Sequence, residues 1–205
     1  MTQWPIYRPR LTGRCVLAFA VLALPLLAAD IRTHAQEAGA PSTTDKRANT
    51  DRMLDALKGA SDEREAAELE GQVQYTWLHA GTPAVTLLMS RGLRALQSGQ
   101  DSEAVESFTD AITLAPNVAE AWHQRAIARY HSGDVTGAIR DLEETVRLEP
   151  RDFAAFRTLA DIATAREDWK GAYAAWQKVM ELDPKTPGGD ARLRELKRHA
   201  VGEDT

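Results

Sequence analysis

The apolar positions of this chain follow a helical period from residue 51 onward. In "DEREAAELEGQVQYTWLHAG" (62–81) Asp62 and Glu65 have the spacing of a capping box, which marks the start of a helix. Apolar residues then recur every three or four positions and share one helix face: Ala66, Leu69, Val73, Trp77 and Ala80. Together with the shorter apolar face of "DRMLDALKG" (51–59), this pattern predicts a helical hairpin over residues 51–81.

From residue 85 the pattern repeats with a period of 34 residues. Prolines recur at 116, 150 and 184, small alanines at 104, 138 and 172, and large apolar residues at 88, 122 and 156. The short turns "SGQ", "SGD" and "RED" divide each copy into two helix-like halves. The sequence therefore predicts three helix–turn–helix copies, 85–118, 119–152 and 153–186. One such hairpin cannot cover its own apolar face, so we expect the copies to stack.

The copy "AEAWHQRAIARYHSGDVTGAIRDLEETVRLEP" (119–150) resembles the tetratricopeptide repeat (TPR) family in its AEAW start, Gly-Asp turn, Ala138 and terminal L-x-P. The resemblance extends over the three copies, about half of the chain. It implies an all-α fold, an α-solenoid of three repeats. We expect the hairpin 51–81 and the segment "GDARLRELKRHA" (189–200) to cap its ends, with Asp190 as N-cap of the last helix.

Four residues depart from the family pattern. Arg91 and Arg125 stand where the family usually has leucine, Arg129 where an aromatic residue is common, and Glu167 where the turn glycine is expected. Their effect is expected to be local. The stretch "TWLHAGTPAVTLLMSRGL" (76–93) also resembles exported repeat proteins of Gram-negative bacteria.

The N-terminal 35 residues have the features of a signal peptide. Arg8, Arg10 and Arg14 precede the apolar run "CVLAFAVLALPLLAA" (15–29), which is short for a membrane span and contains Pro25. We therefore predict a signal peptide over 1–35, followed by a flexible linker over 36–50, where small and polar residues show no period. The predicted location is the periplasm; the alternative is a retained segment that anchors the protein to the inner membrane facing the periplasm.

The charge distribution disfavours a nucleic-acid ligand. Four arginines and one aspartate give residues 1–35 a net charge of +3. Because the net charge of the whole chain is −5, residues 36–205 together carry a net charge of −8. Phosphate binding requires clustered lysine and arginine. The single cysteine, Cys15, lies within the predicted signal peptide. Disulfides, thiol catalysis and cysteine metal ligands are therefore not expected in the mature chain.

Candidate catalytic chemistry is sparse in this sequence. His123 and His131 are eight residues apart, about 12 Å along a helix, too far for one metal ion to bridge. A polar groove lining is the favoured interpretation of this pair, with a metal or proton-transfer role as the alternative. Nucleotide-binding, metalloprotease and nucleophile-elbow motifs do not occur. We therefore predict neither an enzyme nor a cofactor.

The family resemblance implies a concave groove, lined by the first helix of each repeat, that holds a peptide or helix of a partner protein. Helical spacing places nine residues on this surface: Met89, Leu93, Leu96, His123, Ile127, Tyr130, His131, Arg157 and Asp161. In the alternative interpretation, Met89 and Leu93 pack under the N-terminal hairpin. The residues at the clamp positions of chaperone-tail-binding members do not match, so that activity is not carried over.

The predicted function is therefore that of an exported adaptor or assembly factor that binds a protein or peptide in its groove. No nucleic acid is expected as a partner, and a membrane only through an uncleaved signal segment. Two other functions remain open. The protein could be a structural protein that self-associates through an end face, or an accessory subunit of a cell-envelope enzyme.

Overall fold

A computed structural model describes residues 43–202, all within one unit that spans 39–205. The predicted signal peptide and the first part of the predicted linker lie outside the described residues. The described residues form helices and no strand, with these bounds: α1 Thr43–Lys58, α2 Glu63–Leu78, α3 Pro83–Gln97, α4 Asp101–Leu114, α5 Ala119–His131, α6 Val135–Leu148, α7 Phe153–Ala165, α8 Trp169–Leu182 and α9 Gly189–Val201. Among residues 43–202, no helix has both the length and the apolar character needed to cross a membrane.

The three predicted repeats correspond to the pairs α3–α4, α5–α6 and α7–α8. Side-chain carboxylates cap three of these helices: Asp134 accepts from Gly137 N at the start of α6, Asp152 from Ala155 N at α7, and Asp168 from Gly171 N at α8. Gly92 brings α3 close to α4, since a Cβ there would lie 2.5 Å from the Phe108 ring. The prediction of an all-α solenoid of TPR-like repeats is confirmed.

Two of the arginines that depart from the repeat pattern, Arg125 and Arg129, form an ion cluster with the buried Asp141 within the second repeat. Arg125 donates two hydrogen bonds of 2.8 Å to the carboxylate of Asp141, and Arg129 donates a third of 2.8 Å. The Arg125 guanidinium also lies over the Trp122 ring, 4.9 Å from its centroid. The buried charges are paired, so arginine is tolerated where the family has leucine.

The N-terminal hairpin α1–α2 does not cap the first repeat, contrary to expectation. It packs instead on the second and third repeats, and its apolar core of Leu54, Leu57, Val73 and Trp77 includes Phe153 of α7. Two ion pairs fix it there, Glu70–Arg157 and Asp55–Arg151. The apolar face read from the sequence is correct, but its partner is a distant repeat.

Three boundaries also differ from those expected. Helix α1 begins at Thr43, so residues 43–50 are helical and not part of a linker. Residues 43–58 contain neither glycine nor proline, and the helix therefore continues beyond its packed face. Helix α2 ends at Leu78, with His79 as C-cap, three residues before the predicted end of the hairpin at residue 81. The N-cap of α9 is Gly188, in the left-handed conformation, and Asp190 lies in the first turn.

Candidate partner-binding groove

The hairpin covers one side of the predicted groove, at the N-terminal turns of the first helices. Trp77 of α2 contacts Phe153 of α7, with ring centroids 5.6 Å apart. One turn further along α7, Arg157 donates hydrogen bonds of 2.8 and 3.2 Å to the Glu70 carboxylate. We call Phe153, Ala154 and Arg157 the covered side of the groove, because the hairpin packs directly on them.

A buried carboxyl group lies beneath the Glu70–Arg157 pair. Asp183, which follows α8, is fully buried, and its Oδ2 lies 4.0 Å from Arg157 Nη2. Burial raises the pKa of Asp183 to about 7, and the nearby Glu70 carboxylate adds to the shift. Burial also works to raise the pKa of Glu70, but hydrogen bonds and charge from Arg157 outweigh it and lower that pKa. At pH values below about 7 the Asp183 carboxyl is therefore mostly neutral, and the charge of Arg157 then neutralises Glu70.

Five other predicted groove residues are not covered by the hairpin. They come from the middle and last turns of α3 and α5, and all are at least partly accessible: Leu93, Leu96, Ile127, Tyr130 and His131. The His131 side chain is 52% exposed, and its Nδ1 lies 3.7 Å from an Asp101 oxygen. We call these five residues the open side of the groove. It combines aliphatic, aromatic and polar surface.

Four of the nine predicted groove residues lie elsewhere or are engaged. Met89 and His123 are buried, so they do not reach a partner in the groove. Met89 packs in the core of the first repeat, and Leu78 at the end of α2 packs against this core. Arg157 is paired with Glu70, and Asp161 lies 3.8 Å from Arg192 of α9 but keeps a side chain that is 61% exposed. Partner contact by the open side stays a prediction.

The structure adds residues that sequence reasoning did not bring to this site. Glu70, Trp77 and Asp183 meet Arg157 and Phe153 across separations of up to 87 residues. Glu120 and Asp152 lie beside His123, and the three are buried together. The sequence contains a partial signal for the second group. Asp152 lies one 34-residue period after Val118, and these two residues directly precede α7 and α5. No sequence signal relates the hairpin to α7.

Comparison with known proteins gives relatives that contain the same repeat. No protein-family model matches the chain. A TPR repeat-containing protein of Rhizobium etli is 24% identical over 88% of this chain and 88% of its own length. The Hsp70-Hsp90 organizing protein of Triticum aestivum is 32% identical over 55% of this chain. The match covers 19% of that wheat protein, so this chain corresponds to a small part of it.

Solved structures agree with the fold. The Sgt2 TPR domain from Aspergillus fumigatus aligns with a TM-score of 0.55 and 26% identity, over 60% of this chain and 83% of that domain. The TPR2B domain of yeast Sti1, in its complex with pHsp70, aligns with a TM-score of 0.53 and 20% identity, over 60% of this chain and 99% of that domain. The in-phase repeats, the stacked helix pairs and these relatives agree: the chain is similar in sequence and fold to proteins of the tetratricopeptide repeat family.

Proposed function

We propose that this protein is a protein-interaction module that holds a peptide or helix of a partner on the open side of its groove. The observation that carries the proposal is the division of the groove. The hairpin packs on the covered side, while Leu93, Leu96, Ile127, Tyr130 and His131 remain accessible. Concave helical surfaces with apolar and aromatic side chains suit amphipathic segments. The complex of yeast Sti1 with pHsp70 supports a peptide as the class of ligand.

The chemistry of the open side indicates which feature of the partner is recognised. Arg157, the one arginine among the nine predicted groove residues, is engaged by Glu70 at 2.8 Å. We therefore propose recognition through apolar and aromatic contacts with Leu93, Ile127 and Tyr130, with His131 providing a polar contact. We also propose, from the features of residues 1–35 in the sequence, that the module acts as an adaptor or assembly factor after export to the periplasm.

Site-specific photocrosslinking tests this proposal. A photoreactive phenylalanine analogue at His131, 52% exposed on the open side, should capture a discrete partner in the native host. The same analogue at Leu114, 60% exposed at the end of α4, is the matched control and should not. Adding Tyr130→Ala should reduce capture at His131 at least tenfold with helicity unchanged. Equal capture at the two positions, or capture insensitive to Tyr130→Ala, would contradict the proposal.

A further inference from the structure

Three buried side chains meet where the second repeat joins the third. Glu120 and His123 come from α5, Asp152 is the N-cap of α7, and their exposed fractions are 7%, 4% and 1%. One nitrogen or oxygen atom from each residue lies within 4.8 Å of the other two. Buried acidic groups normally have a cationic partner, because burying a charge alone is costly. In the described part of the chain, no lysine or arginine forms an ion pair with Glu120 or Asp152.

The hydrogen bonds around His123 determine which of its ring nitrogens is free. The Thr158 hydroxyl donates its proton to the carbonyl of Ala154 at 3.1 Å, and its oxygen lies 3.0 Å from His123 Nε2. That oxygen can therefore only accept, so Nε2 carries the hydrogen and Nδ1 keeps a lone pair in the neutral ring. Nδ1 is shielded from solvent and makes no hydrogen bond within the described residues. It lies 3.7 Å from Glu120 Oε2.

Each carboxylate is held by one oxygen and leaves the other available. Glu120 Oε1 accepts a hydrogen bond of 2.7 Å from the Gln124 amide, and Asp152 Oδ1 accepts one of 2.8 Å from Ala155 N. Outer hydrogen bonds of this kind orient the ligands of protein metal sites and fix the histidine tautomer. Here they orient one nitrogen lone pair and two carboxylate groups toward one another.

We propose that Glu120, His123 and Asp152 bind a divalent transition-metal ion, with zinc as the best match. A nitrogen donor favours zinc and its neighbours over calcium and magnesium, which prefer oxygen ligands. Zinc bonds near 2.1 Å place tetrahedral ligands roughly 3.4 Å apart, so ligand atoms up to 4.8 Å apart would approach one another by about 1.4 Å or less. The two acidic neighbours attract positive charge here: burial works to lower the pKa of His123, but Glu120 and Asp152 outweigh it and raise that pKa.

A solvent cleft beside Glu120 gives an ion access to the site. Glu120 lines a cleft of about 510 Å³ between the hairpin and the repeats, which also contains Thr50 and Trp77. Water from this cleft could complete the coordination. An ion bound to both α5 and Asp152 would link the second repeat to the start of α7, the helix on which the hairpin rests. Binding would therefore stabilise the covered side of the groove.

Cobalt titration of the metal-free, full-length chain tests the site, since Co²⁺ bound to protein ligands absorbs visible light. We expect saturation at one ion per chain, and a melting temperature that rises with added Zn²⁺. His123→Gln should weaken binding at least tenfold, whereas His131→Gln, at an exposed histidine near Asp101, should leave it unchanged. Asp152→Asn should also weaken it, and because asparagine is a good N-cap, this variant keeps the start of α7.

Two outcomes would overturn the proposal. One is the absence of stoichiometric cobalt binding to the wild-type chain, which would assign a proton on Nδ1 as the cation that the carboxylates share. The other is binding that survives both His123→Gln and Asp152→Asn, which would assign the ion to surface residues. Circular dichroism of each variant verifies that it is folded, and the result does not depend on the proposed partner binding.

Discussion

The covered and open sides of the groove are built from the same repeat but meet different surroundings. On the covered side, Phe153 and Arg157 are engaged by Trp77 and Glu70 of the hairpin. On the open side, Tyr130 and His131 occupy later positions of the first helix in the preceding repeat and remain accessible. The backbone conformation is the same in successive repeats, but the exposure of the side chains on their first helices differs.

The equivalent positions 89, 123 and 157 illustrate this difference most directly. Met89 is fully buried in the core of the first repeat, and His123 is buried between Glu120 and Asp152. Arg157 reaches outward to Glu70 at 2.8 Å. All three have the same place in the 34-residue period. The period therefore determines the position of a side chain on the backbone, and neighbours from outside the repeat determine what it contacts.

The largest expected effect comes from removing the main apolar contact of the covered side. Trp77→Ala deletes a buried indole from the core shared with Phe153, and we expect the hairpin to lose about 3–5 kcal/mol of local stability. Amide hydrogen exchange of α1 and α2 measures this loss. The first two repeats should retain their protection, since their core clusters contain neither Trp77 nor Phe153, whereas the start of α7 should lose part of its protection because Phe153 belongs to the hairpin core.

Tyr130→Ala is the matched control on the open side. Tyr130 is partly exposed, so its loss should change hairpin exchange by less than about 0.5 kcal/mol. If Trp77→Ala and Tyr130→Ala had equal effects on α1 and α2, the distinction between a covered and an open side would not hold.

The pH dependence of stability provides a second test of the covered side. The pKa of Asp183 is about 7 in the folded chain, above the ordinary value near 3.9. The folded state therefore holds a proton that the unfolded chain releases, and its stability falls as pH rises from about 4 to 7. Asp183→Asn resembles the protonated acid, so we expect it to stabilise the protein by about 1–3 kcal/mol at pH 8 and by much less at pH 4.

Urea unfolding at the two pH values measures this difference. Glu70 contributes with the opposite sign: its lowered pKa gives stability above the ordinary glutamate pKa, and this stability is lost as the solution is acidified. Acidification below pH 4 should therefore destabilise both the wild type and Asp183→Asn. Equal stabilisation by Asp183→Asn at pH 4 and pH 8 would show that Asp183 is not protonated in the folded chain.

The smallest expected effect concerns the strained turn of the third repeat. It tests whether this turn changes the stability of the hairpin, which packs on α7. Glu167 has a φ of 59°, where the first two repeats have Gly99 and Gly133 at positive φ. Glu167→Gly should relieve this conformation and raise stability by about 1 kcal/mol in thermal unfolding. Gly133→Ala should lower it by a similar amount. Hairpin exchange relative to global unfolding should not change; a parallel change would mean that the turn affects the covered side.

Much of the fold could be predicted because its signals are local. The 34-residue period, the turn residues and the small alanines predicted three helix pairs, and the capping residue Asp62 predicted the start of α2, where it accepts from Glu65 N at 2.8 Å. The place of the hairpin could not be predicted in this way. Leu69, Val73 and Trp77 form an apolar face that suits any apolar surface, and Glu70 and Arg157 are 87 residues apart.

The groove residues were predictable as positions on helices but not as accessible groups. Helical spacing placed His123 on the inner face, yet its surroundings come from Asp152, the N-cap of α7, and from Thr158 within α7. Arg157 is paired because Glu70 lies beside it, and Glu70 reaches that place only because the hairpin packs on α7. Such pairings need the tertiary arrangement, since a charged residue on a helix face is as compatible with solvent as with a buried partner.

The contact between Trp77 and Phe153 tests the central claim, that the hairpin covers one side of the groove. Nuclear Overhauser spectroscopy of the unmodified chain can detect it directly, and the stack of Trp169 on His199, with centroids 4.2 Å apart, is the internal control. We predict cross-peaks between the ring protons of Trp77 and Phe153, whose centroids lie 5.6 Å apart. Control cross-peaks without any between Trp77 and Phe153 would contradict the account, because the groove would then be open on both sides.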